Sequence, residues 1–313
     1  MIAGDPRLLL LGAGVADPKG IFGTTLGARE AAPGRVLETP LSENMLTGAL
    51  AGLALVGWRP VLVHARSEFA LLGMSHIVDT LAKWKWLHCE PMPVTLRLLV
   101  GRGWGQGPTH SQSFHAWFAS VTGLRTLYPS TPDAYDEALA IITKADAPTI
   151  LIESRRLHEA DMTRLAFDAM GSPDVALAPV GDSLLDALDA AAMLAAHGVR
   201  ASVWPIWDLQ NPWCAFEVGA ESVTAPYLAA GIPVVITESV PAMLCLTAQC
   251  GFPPGRNVSV MCANPAPLGS APQIEARWYP TAIQIASAAW AMVSRQAPPE
   301  FRHRATEVFH GPF

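Results

Sequence analysis

Along the first half of the chain, short apolar runs alternate with longer segments of helical character. Leu8–Leu11, Pro60–Ala65, Val94–Val100, Arg125–Tyr128 and Thr149–Glu153 read as strands, and Glu43–Val56, Phe69–Leu87, His110–Val121 and Pro132–Lys144 as helices. Val61, Val63, Leu96, Leu98, Ile150 and Ile152 are the residue types needed by a sheet covered on both faces. The alternation predicts crossover units, a mostly parallel sheet and an α/β fold. From Arg155 to Pro173 the pattern gives way to a charged, irregular stretch with Glu159, Asp161, Arg164 and Asp168, which reads as a linker. A second alternation follows: strand Val175–Val180, helix Leu184–His197, strand Ala201–Ile206, helix Val223–Ala230, strands Val234–Glu238 and Val258–Cys262, and helix Tyr279–Val293. The expected organisation is an α/β domain over 1–154, a linker over 155–174, a second α/β domain over 175–294 and a polar, proline-bearing tail over 295–313.

Composition narrows the function. Half of the residues are apolar and 15% are charged, against about 25% charged in an ordinary soluble protein. That excludes a disordered chain and points to a large buried fraction, or to a surface covered by a partner. The net charge is −6 and no basic block of five occurs, so nucleic acid is not expected as a partner. The Leu8–Leu11 run is too short to span a membrane and no small-residue cleavage site stands out, so no membrane association and a cytoplasmic location are expected. The five cysteines form no CxxC pair, which argues for reduced thiols and against a zinc or redox motif. His64, His76, His88, His115 and His158 have no metal-ligand spacing and read as core or solvent-facing residues; no metal site is expected on this chain. Trp84, Trp86, Trp104 and Trp117 read as packing or subunit-contact residues.

Two places stand out chemically. Glu43 follows Thr39-Pro40-Leu41-Ser42 and opens an almost wholly apolar helix. One reading is helix-start electrostatics, with Ser42 as cap and Glu43 complementing the dipole. The other is a carboxyl group at the mouth of a buried helix, where low polarity raises its pKa and lets it exchange a proton. The second place is the loop Gly101-Arg102-Gly103-Trp104-Gly105-Gln106-Gly107-Pro108, which follows a strand and delivers His110 beside Ser111-Gln112-Ser113. It matches neither a phosphate-binding Walker loop nor a dinucleotide fingerprint. A histidine displayed on such a loop is well placed for function. Val180-Gly181-Asp182-Ser183 reads as a strand running into a turn, with Asp182 or Ser183 capping the next helix.

The order of motifs carries a family resemblance. Gly20-Ile21-Phe22-Gly23-Thr24-Thr25, Arg35 to Glu43 and Gly57-Trp58-Arg59-Pro60-Val61 are followed by His110-Ser111-Gln112-Ser113, Ala116-Trp117-Phe118, Tyr128-Pro129-Ser130-Thr131-Pro132 and Ala147-Pro148. This resembles the β subunit of the decarboxylating component of 2-oxo acid dehydrogenases (pyruvate, branched-chain or acetoin type), within the transketolase superfamily. The resemblance is strongest over residues 20–153. It implies a pyrimidine-binding domain followed by a transketolase C-terminal-like domain, thiamine diphosphate with magnesium as cofactors, and decarboxylation of a 2-oxo acid with transfer of the acyl unit to a lipoyl or other carrier domain. It further implies cofactor-binding roles for Leu41, Glu43 and Phe69. Glu43 would protonate the aminopyrimidine ring, Phe69 would pack on it, and His110 would approach the substrate side. The Gly-Asp-Gly motif that holds magnesium and diphosphate is absent. The resemblance therefore implies an α-like partner subunit carrying that half of the site, in an assembly of two α with two β.

The sequence also departs from the pattern. Ala13 stands where an acidic residue is usual, Met45 replaces a small residue and is expected to narrow or reshape the pocket, and Ala145 and Ala147 stand where potassium ligands are usual. These departures keep two further readings open: a split transketolase passing a two-carbon ketol unit from a ketose phosphate to an aldehyde or carrier thiol, and a catalytically idle scaffold subunit.

Overall fold

A computed structural model describes residues 2–158, 160, 172–209, 231–241 and 257–302. The expected helix Val223–Ala230, most of the linker and most of the tail lie outside the described residues.

The first half builds a six-stranded, all-parallel sheet from β1 (Leu8–Gly12), β2 (Val36–Glu38), β3 (Arg59–His64), β4 (Thr95–Val100), β5 (Arg125–Leu127) and β6 (Thr149–Ser154), in the order β2-β1-β3-β4-β6-β5. Every residue of β1, β3 and β6 is buried, as a sheet covered on both faces requires. Helices α1 (Ala28–Ala31), α2 (Glu43–Leu55), α3 (Ala82–His88), α4 (His115–Ala119), α5 (Pro132–Lys144) and α6 (Arg155–His158) complete this half. The second half holds β7 (Val175–Pro179), α7 (Ser183–Ala195), β8 (Ala201–Val203), β9 (Val234–Pro241) and β10 (Val258–Ala263), then α8 (Pro272–Glu275) and α9 (Ala282–Val293). Its four strands are also parallel, in the order β10-β9-β7-β8. The α/β class read from the sequence is the class of the molecule.

One apolar core runs through both sheets, joining Leu50, Leu62, Leu98 and Ile150 to Ala176, Val234 and Ile236. A second packs α7 on α9 through Leu184, Leu194, Ile285 and Ala289. The halves are also stitched by main chain: Tyr128 donates its N–H to the carbonyl of Trp207, and Leu209 donates to that of Thr126.

Local sequence explains several boundaries. Thr131 caps α5 by accepting from the N–H of Ala134, with Pro132 in the first turn. Thr281 and Gln284 form a capping box on α9, which therefore begins at Ala282 and not at Tyr279. Other expectations are corrected. The segment Phe69–Leu87 is not one helix: a 3₁₀ segment (Ser67–Gly73) leads through a π-helical turn (His76–Leu81) into α3. The change of winding seats this segment on α2. A Cβ on Gly73 would fall 2.5 Å from the Thr47 hydroxyl, and one on Gly48 3.1 Å from the His76 ring. The expected helix His110–Val121 starts only at His115. Upstream, Glu68 and Ser67 take the polar backbone groups of Gln112 that a helix would have used. Ser42 stands at the start of α2, but its hydroxyl makes no capping bond. Asp182 does not cap α7 either, because its carboxylate is drawn to the Ser154 hydroxyl (3.2 Å) and to Arg102 (3.6 Å).

Candidate active site

In a parallel sheet the connections leaving two neighbouring strands in opposite directions open a crevice at the carboxyl edge. Here the chain leaves β1 toward β2 on one side and β3 toward β4 on the other. A cleft of about 160 Å³ lies at that switch point, lined by Gly12 and Ala13 after β1, by Val63, His64 and Ala65 at the end of β3, and by Leu41, Glu43, Leu46 and Phe69. Gly12 has φ +155°, and a Cβ there would fall 2.5 Å from the Val63 carbonyl oxygen, so the two strand ends approach through a glycine.

The structure thus gathers three of the sequence-identified residues, Leu41, Glu43 and Phe69, around one cleft. Glu43, half-buried, is the first residue of α2. Leu41 is 80% exposed at the rim, and Phe69 is half-buried on the opposite wall. His110 is exposed, and its ring meets Phe69 edge to face at 5.9 Å between centroids and 87° between planes. Thr109 Oγ1 lies 2.8 Å from its Nδ1. Met45, expected to narrow or reshape the pocket, is 52% exposed and does not line the cleft, whereas its neighbour Leu46 does.

Several polar residues of this region were not singled out in the sequence. His64 lines the cleft, is buried, and has no hydrogen-bond partner for Nε2. Burial pushes its pKa down from 6.5 to about 4, so the imidazole is neutral at physiological pH. Its place at the carboxyl end of a central strand is the signal that could have marked it. Glu68 precedes Phe69 and accepts the N–H of Gln112 at 2.7 Å, and burial raises its pKa. Arg66 holds the glycine loop: its Nε and Nη2 donate to Gln106 Oε1 at 2.9 and 2.7 Å, and its guanidinium lies 4.2 Å from the Trp104 ring centroid. Trp104 is therefore a buried packing residue, whereas Trp86 is 86% exposed.

The loop is also held from the second half. Arg102 pairs with Asp186 (2.9 Å) and Asp182 (3.6 Å), while Arg156 pairs with Asp186 at 2.7 Å. Burial works against the Arg102 charge, but these two carboxylates outweigh it and raise its pKa. Glu275 accepts the N–H groups of Gly103 and Gly105. His115 Nε2 lies 3.3 Å from Glu238, both fully buried, with Ser113 Oγ at 2.9 Å from the other ring nitrogen. Among the described residues no group of three His, Cys, Asp or Glu side chains is placed to hold a metal ion, and no helix is long and apolar enough to cross a membrane.

Apolar walls with a carboxyl group at the rim and an imidazole in the lining suit a flat heteroaromatic ring with hydrogen-bonding nitrogens. Residues 1–159 match the transketolase pyrimidine-binding domain. The chain is 27% identical over 314 residues to the β subunit of the acetoin:2,6-dichlorophenolindophenol oxidoreductase of Cupriavidus necator, covering 91% of each. It is 37% identical over 159 residues to the pyruvate dehydrogenase E1 component β subunit of Leifsonia xyli, where the match covers 49% of this chain and about half (46%) of that protein. Among solved structures, the β4 tetramer described as an inactive split-gene transketolase superposes with a TM-score of 0.68 at 18% identity over 93% of each chain, a likeness of fold. With its first half matching that domain and its curated relatives being such β subunits, the chain belongs to the transketolase pyrimidine-binding family.

Proposed function

We propose that this chain is the β subunit of a thiamine diphosphate-dependent enzyme that decarboxylates a 2-oxo acid and passes the acyl unit to a lipoyl or other carrier. The observation that supports this best is the cleft at the switch point, where Glu43, Phe69 and Leu41 surround a space beside His110. When bound, thiamine diphosphate supplies the electron sink for breaking the carbon–carbon bond. The chain's own residues do the rest. Glu43 holds a proton toward the ring nitrogen of the aminopyrimidine, at the edge of a cleft lined mainly by apolar side chains. Phe69 and Leu41 pack on the ring and fix its plane. His110, exposed and in edge-to-face contact with Phe69, orients the substrate carboxylate and moves protons on the substrate side.

No Gly-Asp-Gly motif occurs in the sequence, so the diphosphate and magnesium ligands are assigned to an α-like partner, in an assembly of two α with two β. The exposed apolar residues Trp86, Leu87, Leu72 and Leu41 supply surface for such an interface. Calorimetric titration of thiamine diphosphate with magnesium into this chain, alone and mixed with a candidate α-like subunit, tests the reading. Binding only in the mixture is expected; tight binding to the chain alone would overturn the shared site. Turnover of 2-oxo acids is the expected activity of the mixture. Turnover of ketose phosphates alone would replace it with ketol transfer, and binding without either activity would leave a scaffold.

A further inference from the structure

We propose that Glu275, which belongs to the second half of the chain, is a positioning residue for His110. The inference rests on the role given to His110 above. Glu275 ends the short helix α8 and is fully buried. Its two carboxylate oxygens are both spent on main chain: Oε1 accepts the N–H of Gly103 at 2.6 Å and Oε2 that of Gly105 at 2.7 Å. Gly103 and Gly105 have φ of +90° and +66°, conformations in which successive amides turn to one side and form a concave anion-binding nest. The nest is filled by a carboxylate of the same chain.

The clamp reaches both sequence neighbours of the imidazole. Upstream, the loop lies against α8: a Cβ on Gly105 would fall 2.5 Å from Pro272, and one on Gly107 2.7 Å from Ser270. Gly107 then accepts the N–H of His110 in a turn. Downstream, the Tyr279 hydroxyl lies 3.5 Å from Glu275 Oε1 and 3.4 Å from the Ser111 carbonyl oxygen. The Arg102 guanidinium covers the Tyr279 ring at 4.0 Å and closes the arrangement. With Arg66 gripping Gln106 from the cleft side, the loop is held between two sides. One of them belongs to the half that lines no part of the cleft. Burial raises the pKa of Glu275, and the two amide donors oppose that shift.

Glu275→Gln tests the proposal in the assembled enzyme. The side chain keeps its shape, but its amide nitrogen turns a donor toward one of the two loop amides, so one bond is lost. Amide hydrogen exchange over residues 101–112 is expected to speed up ~10-fold. Turnover is expected to fall ~10-fold with little change in thiamine diphosphate affinity. In a His110→Ala background the same change should cost nothing further, because its effect passes through the imidazole. Unchanged exchange in the loop, or an equal loss in the His110→Ala background, would overturn the proposal. Faster exchange with unchanged turnover would overturn the proposal where His110→Ala alone lowers turnover, and the role of His110 itself where that variant turns over normally. If Glu275→Gln fails to assemble, Tyr279→Phe removes the hydroxyl that lies between the Glu275 carboxylate and the Ser111 carbonyl, and the same readouts apply.

Discussion

The two sheets share a topology and put its most useful feature to different ends. Each is parallel, and each has a point where neighbouring strands send their connections in opposite directions: between β1 and β3 in the first, between β7 and β9 in the second. In the first sheet that point opens into the cleft with Glu43 and Phe69. In the second, the acidic residues beside it, Asp182 after β7 and Glu238 on β9, face inward and meet Arg102 and His115 of the first half. One edge is left apolar and open to a ligand; the other is charged and closed on its neighbour. A switch point is thus a place where polar groups converge, and whether it becomes a site depends on what fills it.

If that contrast holds, damage at the first edge removes chemistry and damage at the second removes stability. The largest effect is expected for Glu43→Gln: turnover should fall ~10²–10⁴-fold, the range for loss of a general acid or base, while assembly with the α-like partner survives. Steady-state kinetics beside size-exclusion profiles check this, and wild-type turnover would refute the role of Glu43. Next comes Arg102→Met. It strands Asp182 and weakens Asp186 in a buried network, so a loss of ~3–5 kcal/mol in denaturant unfolding is expected. A fully stable variant would mean that the second edge is not a clasp.

A smaller effect sharpens the first edge. His64 has a folded pKa of about 4 against 6.5 for the ordinary imidazole. Folding favours its neutral form, so the stabilisation is fully present above pH 6.5. Between pH 6.5 and about 4 the unfolded chain takes up a proton that the folded chain does not, and stability falls, by about 3 kcal/mol over the window. His64→Leu should flatten that part of the curve of melting temperature against pH; an unchanged acid slope would show that His64 is not the group responsible. The smallest effect is expected for Ser42→Ala. Its hydroxyl makes no capping bond, so unfolding free energy should move by less than ~0.5 kcal/mol, against ~1 for a working cap.

The sequence made the first edge far more legible than the second. Buried strands such as β3 and β6 announce themselves by runs of β-branched and aliphatic residues. The three-residue β2 does not, because two of its residues are exposed. Leu41, Glu43 and Phe69 are marked by the order of motifs shared with a family, and the fold brings residues 41–43 and 69, apart in sequence, to one cleft. The ties on His110 have no such signal. Glu275 lies 170 residues from Gly105 and looks, in Pro272-Gln273-Ile274-Glu275, like any helix-end glutamate. The 3₁₀ and π segments after Arg66 were hidden for a related reason: their winding is set by the surface of α2 and not by their own periodicity.

The seating of that segment on α2 has a consequence for how the cleft can change shape. Gly73 lies on Thr47, a contact that leaves no room for a side chain, and Gly48 lies tightly on the His76 ring. Glu43 and Phe69 are therefore carried by two elements interlocked like a tongue in a slot. The width of the gap between them is tied to the fit of that joint. A ligand then meets a width set by that joint, beside a histidine loop gripped from both sides.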